Sequence, residues 1–329
     1  MKLIVVILAF NEEQNIEKVI KAIPSSILGI DTIQTIVIND GSKDATAAIA
    51  EKAGATVISH QANKGVGQSF QTGLIAALEN NADILVNIDG DGQFLPEEIP
   101  LLIQPILDNK ADFVPANRFV DSNGKVKRPE YMSKVKFWGN QVMSNLIGGL
   151  VREKFDDVSC GFRAYSREAM LHLNLSGVFT YTQETFLDLS FKKLRIIPVP
   201  VTIRYFPDRK SRVAGNLFAY TLRTLNIILR TYRDFRPLRF FIYLGLPPFV
   251  LGISANIFVM IYYFINHQFT PYKSVAFAGI YLSTLGLLLF IVGFLADMFM
   301  HFKQNLDKLI YFEKRQLYDS RVRYEKKPD

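Results

Sequence analysis

The sequence predicts an α/β domain built on a mostly parallel sheet, followed by an amphipathic helix and a pair of membrane-spanning helices. Three observations carry this expectation. Short apolar runs alternate with segments of helical spacing through the first part of the chain, the pattern of βα units. Polar turns close those runs at Asn11, at Asn39-Asp40 and at Asp89 to Gln93. Near the C-terminus, Phe240 to Tyr272 and Ser274 to Ala296 contain no Asp, Glu, Lys or Arg. Each is long enough to cross a hydrocarbon core, which takes about 20 apolar residues.

Residues 3–9 form a continuous apolar run, as in a parallel strand covered on both faces. Asn11-Glu12-Glu13 follows at once, without a small-residue cleavage site, so a buried strand is a better reading than a signal-peptide core. Ile16, Val19, Ile20 and Ile23 have helical spacing, and Pro24 stops that helix. Thr35 to Ile38 reads as a second strand, closed by the polar turn 39–44 before an Ala-rich helix over 45–53. Thr56 to Ser59 is a third strand, and Asn63 to Gly67 opens a helix that runs through Leu78. The fourth strand, 84–88, ends in Asp89-Gly90-Asp91-Gly92-Gln93. A later strand covers 112–116, and Pro198 to Val201 begins an edge strand, because proline cannot donate to a central ladder. In parallel sheets of this kind, ligands bind at the carboxyl ends of the strands. Asn11, Asp40 and Asp89 all fall there.

The turn after the fourth strand is the sharpest chemical signal. Asp89 and Asp91 would face opposite ways on an extended strand. Gly90 and Gly92 let the backbone turn so that both converge. Paired carboxylates suit a hard divalent cation, and that in turn suits a diphosphate. Turn chemistry alone is the plain alternative for an isolated Asp-Gly. Lys64, beside Gly65 and Gly67, is read equally as reaching a phosphate or as a solvated loop lysine.

Composition sets the frame. Hydrophobic residues make up 49% of 329 residues, and 38 Lys+Arg against 31 Asp+Glu leave a formal charge of +7. The excess fits an anionic membrane or a phosphorylated substrate; no nucleic-acid motif is present, so no nucleic acid is expected as a partner. Cys160 is the only cysteine, which excludes an intrachain disulfide and a cysteine-rich zinc site.

Together, ILAFNEE (7–13), VINDGSKDAT (37–46), NKGVGQSFQTG (63–73), NIDGDGQF (87–94) and DVSCGFRAYSREA (157–169) resemble the inverting family-two glycosyltransferases. The resemblance covers about residues 1–240 and is greatest to their polyprenyl-phosphate branch, the dolichol-phosphate mannose synthase-like enzymes. It departs from the family at Leu8, at Asn39-Asp40, which leaves the nucleotide base open, and at Cys160. The resemblance implies a GT-A-type nucleotide-sugar-binding domain over 1–213, an interfacial helix region over 214–239 and a two-helix membrane hairpin at about 240–265 and 274–297. A cytoplasmic tail over 300–329 completes the layout. It implies a UDP- or GDP-sugar donor held by Ala9, Asn11, Glu12, Asn39, Asp40, Lys64, Asp89 and Gln93. Mg²⁺ or Mn²⁺ would sit on Asp89, Asp91 and Gln93. Asp91 and Asp157 are the implied catalytic residues, Asp157 being equally readable as a carboxylate at the start of a helix. Arg118, Lys134, Arg209, Ser211 and Arg212 would hold the phosphate of a polyprenyl phosphate acceptor.

The apolar stripe Phe218, Leu222, Leu225, Leu229 and Tyr232, with Arg223 and Arg230 on its flank, reads as a helix lying on a membrane. Pro247-Pro248 should kink the first spanning helix, which membranes tolerate. Basic residues flank the outer ends (Arg230, Arg233, Arg236 and Arg239 before, Lys303, Lys308, Lys314 and Arg315 after), and the turn between the helices holds only Lys273. The positive-inside rule therefore puts the first domain in the cytoplasm, with the protein in the cell membrane. Two helices make a thin anchor, compatible with a homo-oligomer. A processive polysaccharide synthase is excluded by the lack of Gln-x-x-Arg-Trp before Trp138. Transfer to a lipid alcohol such as diacylglycerol, with Asp157 as base, and a non-catalytic membrane partner are the remaining rivals.

Overall fold

The structure is a computed structural model, and it describes residues 1–120, 125–174, 181–204, 229–230 and 232–325. The chain divides into two units. One holds Met1–Ser211 together with Ile310–Asp329; the other is Arg212–Leu309.

The first unit is organised on a seven-stranded sheet. The strands are β1 (Lys2–Ala9), β2 (Thr32–Asn39), β3 (Thr56–Ser59), β4 (Ile84–Asp89), β5 (Phe113–Asn117), β6 (Arg163–Ser166) and β7 (Val199–Pro200). Their order in space is β3-β2-β1-β4-β6-β5-β7. β1 pairs in parallel with β2 and β4, β2 with β3, and β5 with β7. Only β6 runs antiparallel to its neighbours. The mostly parallel sheet expected from the βα alternation is thus present, with Pro200 at its edge. Residues 3–9 are buried throughout, as a central strand covered on both faces must be. Each Val, Leu or Ile so buried contributes about 1.5–3 kcal/mol relative to exposure.

Helices α1 (Ile16–Lys21), α2 (Thr46–Lys52), α3 (Val66–Glu79), α4 (Ile99–Leu107), α5 (Lys134–Val151), α6 (Arg167–His172) and α7 (Tyr181–Phe191) complete the unit. The first helix starts at Ile16, where its apolar spacing begins, after the turn that leaves β1. Lys134 opens α5, and Ser133 caps it by accepting from the Lys136 amide. Residues 310–319 also belong to this unit. The Tyr311 ring stacks on His172 at 4.1 Å between centroids, its hydroxyl donates to Glu168, and Lys314 Nζ donates to the Leu173 carbonyl. The tail expected over 300–329 is helical through Glu325, the end of one long helix.

The second unit contains two helices long and apolar enough to cross a membrane, within Pro237–Asn266 and Lys273–Glu325. They approach closely where side chains are absent. A Cβ on Gly252 would lie 2.3 Å from the Ser283 amide nitrogen, and one on Gly286 would lie 2.7 Å from the Gly245 carbonyl oxygen. Small residues at such crossings are how apolar helices pack in lipid. Most of the expected interfacial helix, 214–228, lies outside the described residues; Leu229 and Arg230 are helical and exposed.

Candidate active site

Parallel pairing brings the carboxyl ends of four strands to one edge. Ala9 is opposite Asn39, Asn39 is opposite Ser59, and Leu8 is opposite Asp89. The turns that follow are tied to one another largely through backbone amides. Asn11 adopts φ +54°, which asparagine tolerates. Its amide donates to Ser42 Oγ and its Oδ1 accepts from the Lys43 amide, both at 2.9 Å. The Glu12 amide donates to Thr46 Oγ1 at 2.8 Å, and its carboxylate accepts from Asn15 Nδ2. Asn39 accepts from the Ser42 amide and donates to Ser59 Oγ.

Asp40 is the hub of this corner. It is buried, and its two oxygens accept from the Lys64 and Gly65 amides, each at 2.9 Å. His60 Nδ1 lies 2.8 Å from Asp40 Oδ1, while His60 Nε2 lies 3.0 Å from Thr72 Oγ1 on α3. Burial pushes the Asp40 carboxyl up; His60 and the two amides outweigh it and hold the group below the usual carboxylate range. Asp40 thus shapes the 63–67 loop. The Lys64 side chain is exposed, and the part of it that Asp40 holds is the backbone.

Asp89 ends β4, and Gly161 lies against its carboxylate: a Cβ there would sit 2.7 Å from Asp89 Oδ2. Asn87 Nδ2 fixes that approach by donating to the Gly161 carbonyl at 2.8 Å. Gly92 takes φ +72°, a conformation that suits glycine, and the Gln93 amide donates to Asp91 Oδ1 at 3.0 Å. Asp89, Asp91 and Gln93 are all partly exposed. Their carboxylate and amide oxygens suit a hard divalent cation. Among the described residues, no three His, Cys, Asp or Glu gather closely enough to hold a metal. This donor set fits the way Mg²⁺ is commonly held, by one or two carboxylates plus substrate phosphates. The Gln93 carbonyl also accepts from the Arg204 amide at 2.8 Å, so Arg204 lies beside the motif. Arg209, Ser211 and Arg212 themselves lie outside the described residues.

Arg118 and Asp157, expected separately, form one bidentate pair. Arg118 Nε donates to Asp157 Oδ2 at 2.6 Å and Nη2 donates to Oδ1 at 2.9 Å. Nη2 also donates to Ser159 Oγ, which donates in turn to Asn140 Oδ1 at 2.6 Å. The Asp157 side chain is fully buried and that of Arg118 nearly so. Burial pushes the Asp157 carboxyl up, but the Arg118 charge and hydrogen bonds, with the Ser159 amide, hold it below the usual range. Register places the pair at the same sheet edge as Asp89, since Asn87 is opposite Arg163 and Arg163 opposite Pro115. Lys134, by contrast, is exposed on the first turn of α5. Arg163, fully buried, donates to the carbonyls of Cys160, Thr182 and Val158 and holds the 157–163 turn.

His60, Ser159, Asn140 and Gly161 escaped the sequence reading. His60 had a usable signal, because it follows the third strand directly at the edge where Asn39 and Asp89 stand. Ser159 and Asn140 had none, since their roles depend on where α5 packs.

The profile of glycosyl transferase family 2 matches residues 4–173. The UDP-N-acetylglucosamine–dolichyl-phosphate N-acetylglucosaminyltransferase of Methanococcus voltae is 31% identical over 62% of this chain and 86% of its own length. The polyprenol monophosphomannose synthase of Mycolicibacterium smegmatis is 25% identical over 65% and 81%. Among solved structures, the glucosyl-3-phosphoglycerate synthase of Mycobacterium tuberculosis, crystallised with Mn²⁺, uridine diphosphate and glucosyl-3-phosphoglycerate, superposes with a TM-score of 0.52. It covers 70% of this chain and 78% of that one at 23% identity, a likeness of fold.

Proposed function

The chain belongs to glycosyl transferase family 2, and from that premise we propose that it transfers a sugar from a nucleotide diphosphate sugar to the phosphate of a polyprenyl phosphate at the cytoplasmic face of a membrane. In this reading Asn11, Glu12, Asn39, Asp40 and the 63–67 loop hold the UDP or GDP portion of the donor. Asp89, Asp91 and Gln93 face its diphosphate. The same three residues would hold a divalent cation, Mg²⁺ or Mn²⁺, which when bound would supply positive charge to the leaving group. An acceptor phosphate oxygen attacks the anomeric carbon from the side opposite the diphosphate. The new C–O bond forms as the old one breaks, the nucleoside diphosphate leaves with the bonding pair, and configuration inverts. A phosphate monoester with a second pKa near ~6 is already largely ionised at neutral pH, so no base is needed.

The Arg118–Asp157 pair is the observation that carries the acceptor assignment. A hydroxyl acceptor needs a base, and the Asp157 carboxylate is committed to Arg118 and held at low pKa. A phosphate acceptor needs a fixed cation, and Asp157 fixes Arg118 at the site edge. Relatives named for dolichyl and polyprenol phosphates support the same assignment. The membrane orientation is supported by the arginines before the first apolar helix and by the return of the chain to the catalytic unit at Tyr311. Both outer ends of the hairpin then share the compartment of that unit.

The test is transfer from labelled donor with varied polyprenyl phosphate, beside the free polyprenol. Transfer to the phosphate alone is expected; equal transfer to the alcohol overturns the assignment.

A further inference from the structure

Arg163, at the start of β6, is the largest of the fully buried side chains. Among the described residues, no ion pair joins it to a carboxylate. Burying a guanidinium without one is costly, so the fold must supply other partners. Three backbone carbonyls accept from it: Cys160 from Nε at 2.6 Å, Thr182 from Nη1 at 2.9 Å and Val158 from Nη2 at 3.1 Å. Three rings face its charge, with centroids 5.1 Å away for Phe186 and 5.7 Å for Phe113 and Tyr181. The residues beside those carbonyls meet the site. Asp157 and Ser159 accept from Arg118, and Gly161 lies against the Asp89 carboxylate. The Gly161 carbonyl itself accepts from Asn87. One guanidinium thus holds, from inside the fold, the turn that carries both the charge pair and the wall of the Asp89 motif.

We propose that Arg163 is a positioning residue for transfer: it sets where Arg118 stands relative to Asp89, without touching donor or acceptor. This rests on the proposed reading of Arg118 as the cation for the acceptor phosphate and of Asp89 as facing the donor diphosphate. In-line displacement needs the acceptor oxygen and the leaving group on opposite sides of one carbon. A misplacement of about 1 Å at such a centre can cost about 100-fold in rate. The planar fork of arginine reaches several carbonyls in fixed directions; a lysine ammonium on its flexible stem does not. A brace for folding alone is the rival role, and it would change stability without changing the turnover of folded molecules.

Arg163→Lys in the full-length protein keeps the charge and removes the fork. Turnover per folded molecule should fall about ten- to a hundredfold, with the binding of UDP or GDP in the presence of Mn²⁺ little changed. Amide hydrogen exchange should rise over residues 157–161 and stay as in the wild type over 63–67. Because Arg163 acts through Arg118, Arg163→Lys should cost far less turnover in an Arg118→Ala background than it does alone. Normal turnover of folded Arg163→Lys, or losses that multiply in the double variant, overturns the proposal. If Arg163→Lys does not fold, Phe186→Leu, which removes the nearest ring from the guanidinium, is taken through the same cycle with the same two outcomes. The cycle is read on whichever acceptor the wild type uses. Equal transfer to the free polyprenol would therefore remove the acceptor assignment and leave this test standing.

Discussion

The two corners of the site are built from different materials. Around the strand ends of β1, β2 and β3, short polar side chains mostly accept from backbone amides: Asp40 from Lys64 and Gly65, Asn11 from Lys43, Asn39 from Ser42. After β5, the central contact joins two charged side chains, Arg118 and Asp157, braced by Ser159 and Asn140. The first corner is a shaped loop whose donors are supplied by the main chain and survive most substitutions. The second depends on both partners, because removing one leaves the other charge buried and uncompensated. The first corner should therefore fail gradually, and the second abruptly.

The largest expected effect falls between the corners. Asp91→Asn should lower turnover by at least about 100-fold in a folded protein, the scale of losing one main electrostatic contact at a reacting centre. Chelator should abolish transfer, and Mg²⁺ or Mn²⁺ restore it. Near-normal rates from a folded Asp91→Asn variant would remove the metal from this scheme.

Next comes the charge pair. Arg118→Ala should raise the apparent KM for polyprenyl phosphate or lower turnover by roughly ten- to a hundredfold, one charge-assisted contact being worth about 1.5–3 kcal/mol. Donor KM should move far less. The same substitution strands the Asp157 carboxylate, costing about 3–5 kcal/mol of stability; adding Asp157→Asn should recover part of it. The pH dependence has a definite sign. In the wild type the Asp157 carboxyl is depressed, so the stability it contributes is present above the unfolded value of about 3.9 and lost as pH falls through the lower folded value. Without Arg118, burial dominates and raises that carboxyl, so acid relieves the variant. The gap in urea midpoint between wild type and Arg118→Ala should narrow from pH 7 to pH 4, and a constant gap would break the comparison.

Asp40→Asn tests the gradual corner. It replaces one accepting oxygen with an NH₂ that faces a backbone amide, a loss of about 1–1.5 kcal/mol, so donor KM should rise roughly five- to tenfold with acceptor KM unchanged. An equal rise in both would show that the corners are not separate.

The smallest signal is a silent one. Burial pushes the Cys160 thiol up to about 12, so the native chain should not react with a maleimide at neutral pH. His267→Cys, in the turn between the apolar helices, should then label from outside intact cells. Labelling only after permeabilisation contradicts the orientation.

Much of this molecule was legible before any coordinate. The strands β1, β3 and β4, the Asp89 to Gln93 turn, the edge position of Pro200 and the two uncharged runs, Phe240 to Tyr272 and Ser274 to Ala296, all follow from local composition. Period and polarity report how a segment is buried, and that is a property of the segment itself. The membrane helices are the clearest case, since the cost of charge in hydrocarbon keeps the signal uninterrupted for about 20 residues.

Partnerships across the fold were decided only in three dimensions. Asp40 meets His60 across 20 residues, Arg118 meets Asp157 across 39, and Tyr311 meets Glu168 across 143. Nothing in the neighbouring residues names these partners, because each follows from strand register and helix placement. So the sequence by itself determined that carboxylates and cations would gather at one sheet edge, in a chain that also carries two helices apolar enough to cross a membrane. Tertiary packing alone decided that Asp157 would spend its charge on Arg118 and Asp40 on a loop, because a buried carboxylate must find whichever donors the fold brings within about 3 Å.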